Sequence, residues 1–231
     1  MFIERELLIS LLKLTQSGHV LIEDVNKEVR LPTDVISSLL EKFQNEEVLN
    51  LQDGSIRISR NQRLMLAVKA VSLGVDVERV SAFLRWQEFE DMAAVVLERN
   101  GYIVAENVRF KHEGKKWEID VVGCKKPLVV CIDCKHWSHL APSMVRRIAE
   151  AQTARARALA EALPNISVTL ECTKWDKAKF IPVVLSLVQA NFKFYDNVPI
   201  VPVLQLQDFL SQLPAYPESL KYFLREYKHL D

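Results

Sequence analysis

Two aspartates and a lysine carry the chemistry in this chain. Asp120, Asp133 and Lys135 fall inside one stretch, WEIDVVGCKKPLVVCIDCKHW, at residues 117–137. It reads as two strands joined by a tight turn at Lys125, Lys126 and Pro127, and Pro127, which has no N–H for a ladder, marks the start of the second strand. Side chains alternate along a strand with a period of two. Glu118, Asp120 and Val122 therefore share one face of the first strand, and Cys131, Asp133 and Lys135 one face of the second. A connection this short brings Asp120 beside Asp133, with Lys135 one step further along. Ionised carboxylates among valines are costly, and two side by side repel each other. A hard divalent cation with oxygen ligands, such as Mg2+, relieves both problems. The plain alternative is a structural ion pair between Asp133 and Lys135 at a strand end. Against it, the D-x-K closes an apolar and thiol run at 128–132, and a second aspartate sits one hairpin back.

Upstream, residues 86–100 read as a helix whose apolar face carries Phe89, Met92, Ala93, Val96 and Leu97. Glu88, Glu90 and Asp91 lie in its first turn, where acids suit the helix dipole. Phe89, Glu90 and Ala93 spell F-E-x-x-A, followed by Asn100-Gly101-Tyr102, a strand, Asp120 and then VVCIDCK. This order resembles the D…(D/E)-x-K core of the restriction-endonuclease-like nucleases, most closely the Mrr-type and archaeal Holliday-junction-resolvase-like branches. The resemblance spans residues 86–210. It departs at the second acid, often Glu in those families and here Asp133, one methylene shorter.

The resemblance implies an α/β domain with a mixed central sheet flanked by helices, and a metal-dependent DNA endonuclease. Glu90, Asp120, Asp133, Lys135 and Gln152 match its catalytic positions. Glu90, Asp120, Asp133 and the backbone carbonyl of Cys134 match its ligands for Mg2+ or Mn2+. The cation polarises the phosphate and acidifies a water, and Lys135 orients that water or stabilises the developing charge. DNA is the expected partner; a double-strand cut needs two such sites and so a homodimer. No nucleotide cofactor is called for. Two rival readings are an adaptor that has kept the acids without cutting, binding nucleic acid or protein, and a transcriptional regulator.

Length and balance bound these readings. The 231 residues suffice for one large or two small domains. Lys plus Arg equals Asp plus Glu at 30 each, so no global basic excess announces nucleic acid. Local cations must do that work: Lys111, Lys115 and Lys116 in the KHEGKK loop, Arg146 and Arg147 on a helix opening at Pro142, and Arg57 and Arg60 near the start of the chain. Arg155 and Arg157 add to the positive balance of the same helix. His136 and His139 follow the D-x-K as loop residues that could meet DNA. No apolar run reaches the length of a membrane span, and the start lacks the basic-then-apolar order of a signal peptide. A cytoplasmic protein is expected. Cys131 and Cys134 form C-x-x-C, but their odd separation turns them to opposite faces and no second pair follows at zinc-finger spacing, so they read as small buried hydrophobes.

Residues 1–84 read as a winged helix-turn-helix domain and 85–231 as the nuclease-like domain. In the first, helices are expected at Phe2–Leu14, Ile22–Val29 and 32–44, then strands at 48–52 and 55–58 about Asp53-Gly54, and helices at 61–73 and 76–83. Residues 1–84 hold 12 acids against 10 bases, and the third helix offers one base, Lys42. That argues against base reading and for protein contact; Arg57, Arg60 and Arg63 are the best phosphate contacts. In the second, strands are expected at 102–110 and 166–172, helices at 142–163 and 176–191, short extended pieces at 192–195 and 200–201, and helices at 206–213 and 217–229.

Overall fold

Leu7, Leu8, Leu11 and Leu12 recur at helical spacing and are fully buried along one side of helix α1 (Phe2–Leu14). Around them fold β1 (Val20–Leu21), α2 (Ile22–Val29), α3 (Thr33–Asn45), β2 (Asn50–Gln52), β3 (Ser55–Arg57) and α4 (Arg60–Ser72). Ile36, Leu40 and Phe43 of α3, Ile56 of β3, and Leu66 and Ala70 of α4 close this core. Among the described residues the strands form a small sheet in the order β1-β3-β2. Asp53 and Gly54 both take left-handed φ, 50° and 71°, which is the turn a two-residue hairpin needs. Ser59 and Gln62 form a capping box at the start of α4, and Gly74 follows its end at φ 86°. The computed structural model describes residues 2–76, 79–80, 82–135, 142–186 and 192–227, so the helix expected at 76–83 lies partly outside the described residues.

The chain divides into two units, Met1–Met92 and Ala93–Asp231, with helix α5 (Trp86–Arg99) running across the boundary. The second unit is a mixed α/β layer. Its strands are β4 (Ile103–His112), β5 (Lys115–Lys125), β6 (Leu128–Lys135), β7 (Lys177–Ser186), β8 (Phe194–Tyr195), β9 (Val198–Pro202) and β10 (Phe223–Glu226), with helices α6 (Pro142–Ala162) and α7 (Leu206–Gln212). The sheet order is β4-β5-β6-β7-β9-β8, with β10 also on β7. β4, β5 and β6 are antiparallel neighbours; β6 to β7 and β7 to β9 are parallel. The link from β6 to β7 passes through α6, as a parallel pair requires. Alanines at 156, 158, 160 and 162 let α6 pack closely over Val122, Cys124, Val129 and Cys131. On the opposite face Gly123 admits Leu97, whose methyl would lie 2.8 Å from an added Cβ.

Three expectations fail here, all around β7. The helix expected at 176–191 is β7, with residues 187–191 outside the described set. Its run FIPVVLS is buried on both faces, which erases the alternation that would have marked a strand. Pro182 sits inside it without harm. Lys179 N–H donates toward β6, at Pro127 O, so position 182 points the other way. On that side β10 pairs Lys177 to Phe180 and β9 pairs Val184 to Ser186, leaving Pro182 in the gap between them. The strand expected at 166–172 is irregular chain ending in a 3-10 turn, Glu171–Lys174, because β7 takes the place beside β6. The helix expected at 217–229 is instead a short 3-10 turn, Pro217–Ser219, and strand β10; residues 228–231 are outside the described set. No helix among the described residues is long and apolar enough to cross a membrane.

Arg63 is not a phosphate contact. It is 3 % exposed, and its guanidinium donates to Glu88 Oε1 at 2.6 Å, to the carbonyls of Leu12 and Phe83, and to the Thr15 hydroxyl. Glu88 in turn accepts from the Arg85 N–H at 2.8 Å. Removing one partner of such a pair strands a buried charge. Arg63→Ala is expected to cost about 3–5 kcal/mol of unfolding free energy, read by urea denaturation. A change within about 0.5 kcal/mol, the range of ordinary surface substitutions, would show the pair to be idle.

Candidate active site

The β5–β6 ladder pairs Val122 with Cys131 and Val121 with Ile132, and it ends there. The next step puts Asp120 across from Asp133. The N–H of Cys134, which a continuing ladder would give to a backbone carbonyl of β5, donates to Asp120 Oδ2 at 2.7 Å. The β4–β5 ladder is interrupted at the same level: Glu106 pairs Val121 and Val108 pairs Ile119, but Asn107 stands at φ 51° opposite Asp120. This break changes the alternation expected for β5. Ile119 joins Val122 and Cys124 in the cluster under α6, and Trp117 packs against it. Glu118 is exposed and bound to Arg109 at 2.9 Å. The sheet thus opens where its acids are.

A hollow of about 400 Å³ occupies that opening. Asp120, Asp133 and Lys135 line it from the strands, with Glu118, Lys115 and Lys116 from the start of β5, and Ala151, Ala154 and Arg155 from α6. Asp133 is 3 % exposed. Lys135 Nζ lies 3.0 Å from its Oδ1 and 2.9 Å from its Oδ2, and Arg155 Nη1 lies 3.1 Å from Oδ1. Asp120 has no ion pair among the described residues. Burial pushes its carboxyl above the ordinary range and the neighbouring Asp133 adds to the rise; the Cys134 N–H, Lys135 and Arg155 oppose it.

Of the remaining candidates, Lys115 and Lys116 line this hollow, and the others have surroundings of their own. Glu90 lies in the first unit, is buried, and accepts from the Trp86 indole one turn earlier. Gln152 is fully buried and donates to the Cys131 carbonyl at 2.7 Å, which ties α6 to β6. Its position is therefore neither solvated nor on the wall of the hollow. Among the cations, Lys115 stacks over Trp117 at 3.8 Å and lines the hollow with Lys116. Lys111 lines an adjoining hollow of about 570 Å³ with Lys116 and Arg109. Arg146 is paired with Glu150, and Arg147 is exposed. Arg57 and Arg60 belong to the first unit; Arg60 binds Asp91 at 3.1 Å. Cys131 and Cys134 are buried and in no disulfide, and burial raises the Cys131 thiol far above its ordinary range. His136 and His139 lie outside the described residues.

Sequence reasoning missed Arg155 as a site residue. The available signal was its place on α6: Ala151, Ala154 and Arg155 recur at i, i+3 and i+4, so one guanidinium stands on a face otherwise cleared by alanine. Among the described residues no three carboxylate, imidazole or thiol groups cluster as a ready metal shell. The donors at hand are the Asp120 and Asp133 carboxylates and the Cys134 carbonyl, which in extended chain points the same way as its N–H, toward Asp120. Two adjacent carboxylates, one of them desolvated and without a cation of its own, make a donor set that a hard divalent ion would complete.

Comparison with known proteins adds to this geometry. The chain is 30% identical over 135 residues to an uncharacterized protein of Archaeoglobus fulgidus, covering 58% of this chain and 95% of that one. The two belong to one family. Residues 85–163 match the nuclease-related domain family, NERD, a segment that includes Asp120, Asp133, Lys135, Gln152 and Arg155. Most of that segment lies in the second unit, which is similar there to nuclease-related domains. Among solved structures, protein VC1899 from Vibrio cholerae aligns at 12% identity and a TM-score of 0.42, over 94% of this chain and 52% of that one. This chain thus spans about half the length of that structure.

The raised Asp120 pKa fixes a sign. An acid whose folded pKa exceeds its unfolded one adds stability that is complete below the unfolded value and is lost as pH rises through the folded value. At neutral pH the ionised Asp120 is thus a liability, while Asn can still accept from the Cys134 N–H. In chelator, Asp120→Asn is expected to melt above wild type at pH 7, with the gap closing as pH falls toward 4. Equal melting at both pH values would contradict the shift.

Proposed function

We propose that the nuclease-related domain is a metal-dependent endonuclease that hydrolyses phosphodiester bonds in DNA through Asp120, Asp133 and Lys135. The observation that carries this reading is the meeting of two carboxylates and an ammonium at a break in the sheet, within the segment that matches the nuclease-related family. Asp120, Asp133 and the Cys134 carbonyl would hold Mg2+ or Mn2+, which when bound supplies Lewis-acid polarisation of a phosphoryl oxygen and acidification of water. Lys135, held by Asp133 at the hollow's edge, orients the attacking water and stabilises the charge that develops on phosphorus-bound oxygens. Lys115 and Lys116 hold the phosphate backbone beside it. Gln152 keeps β6 and α6 in register through the Cys131 carbonyl.

The first unit supports a winged-helix reading by its order of elements and its short hairpin. The exposed positions of α3 include Asp34, Ser37, Ser38 and Glu41, and its one base, Lys42, is bound to Glu4 at 3.0 Å. This favours a protein partner, a second copy of the chain included, over base reading. A second reading of the nuclease-related domain, as a non-catalytic adaptor, is favoured by one observation: Asp133 already holds two cations.

A cleavage screen over linear, branched, flap and single-stranded DNA and RNA with Mg2+ or Mn2+ separates the two. Cutting is expected for wild type, with a loss of about 100-fold or more in Lys135→Ala and in Asp133→Ala. Binding without cutting under any of these conditions would select the adaptor. Cutting by wild type and Lys135→Ala alike would move the activity elsewhere.

A further inference from the structure

Around the two aspartates of the hollow, charge is matched in number and uneven in place. Two carboxylates, Asp120 and Asp133, face two cations, Lys135 and Arg155, and both cations lie on Asp133. Lys135 comes from the same strand and is tethered two residues away. Arg155 comes from the opposite wall, on a stretch of α6 where Ala151 and Ala154 leave the hollow open around it. Its side chain is 28 % exposed, against 18 % for Lys135 and 4 % for Asp133, so it bridges the buried acid and the solvent-facing part of the hollow. A divalent cation on the carboxylates would leave the four side chains and the ion with an excess of two positive charges. The excess calls for an anion at that spot. A guanidinium suits a phosphate in particular, since its planar fork can give two parallel N–H bonds to a pair of phosphate oxygens.

We propose that Arg155 is the phosphate-binding residue of this site and also the competitor of its cation: it holds Asp133 in the ion-free protein and turns to the non-bridging oxygens of a nucleic-acid phosphate once the carboxylates are taken. The proposal rests on the metal-dependent reading above and adds a residue to it. Occupation of the site by metal and by substrate is then coupled through one side chain, each favouring the other, because the cation frees the guanidinium that the phosphate uses.

The experiment measures Mn2+ binding by calorimetry on the full chain, and binding of a short DNA duplex in Ca2+, for wild type, Arg155→Gln and Arg155→Lys. Arg155→Gln is expected to bind Mn2+ about tenfold more tightly than wild type and DNA about tenfold more weakly. Arg155→Lys keeps the charge and loses the fork, so Mn2+ affinity should stay near wild type while DNA binding still falls. A merely structural residue would move neither affinity, or weaken both. Arg155→Gln that leaves Mn2+ and DNA affinities unchanged, or weakens Mn2+, overturns the proposal while the endonuclease reading stands. If Arg155→Gln does not fold, the DNA arm of Arg155→Lys decides, and unchanged DNA affinity there overturns it. Wild type that binds no Mn2+ in an Asp120-dependent way refutes the metal reading itself.

Discussion

Asp133 lies two residues before the end of a strand that has neighbours on both sides and is buried along its length, so its carboxylate keeps almost no contact with water. A charge in that position persists only with counter-charges at hydrogen-bond distance. Lys135 supplies one from the same strand, and Arg155 supplies the other from the helix that follows. Much of the second unit is arranged around this requirement. The crossover helix must lie close enough for a guanidinium to reach the strand, which its alanines permit, and Gln152 fixes that approach by bonding to the β6 backbone.

The same region of sheet is where regular pairing stops. With Asn107 left-handed and Asp120 taking the Cys134 N–H onto its side chain, both ladders of β5 break at one level. An unbroken ladder would give the Cys134 N–H to a backbone carbonyl and hold the two strands close at this level. The break instead turns the two carboxylates toward a solvent-connected hollow, and polar chemistry becomes available at the edge of an apolar sheet.

The two units handle buried charge in contrasting ways. Arg63 is closed in: an acid, two carbonyls and a hydroxyl satisfy its guanidinium, and nothing is left for a ligand. Asp120 and Asp133 are compensated unequally, one with two cations and the other with an N–H and a neighbour of like charge. A satisfied node stabilises a fold, whereas an uneven one marks a place where something else can bind. Counting charges alone would not separate them; the distribution of partners does.

Local pattern was enough for much of this chain. Residue order alone determined the helices Phe2–Leu14 and Ile22–Val29 and the Asp53-Gly54 hairpin, because period and turn chemistry are short-range properties; it also put Asp120 near Asp133 and Lys135 through a short turn, though not the break in the ladders that opens the sheet there. The tertiary structure decided what depends on distant partners. FIPVVLS became the strand beside β6 because a sequence buried on both faces shows no alternation, and only its neighbours reveal that Pro182 falls in a gap between two pairings. Arg63 and Arg155 look alike in sequence as exposed helical arginines. One is sealed in a core and the other reaches a buried acid, and that difference arises from which surface each helix meets, information that no stretch of a few residues contains.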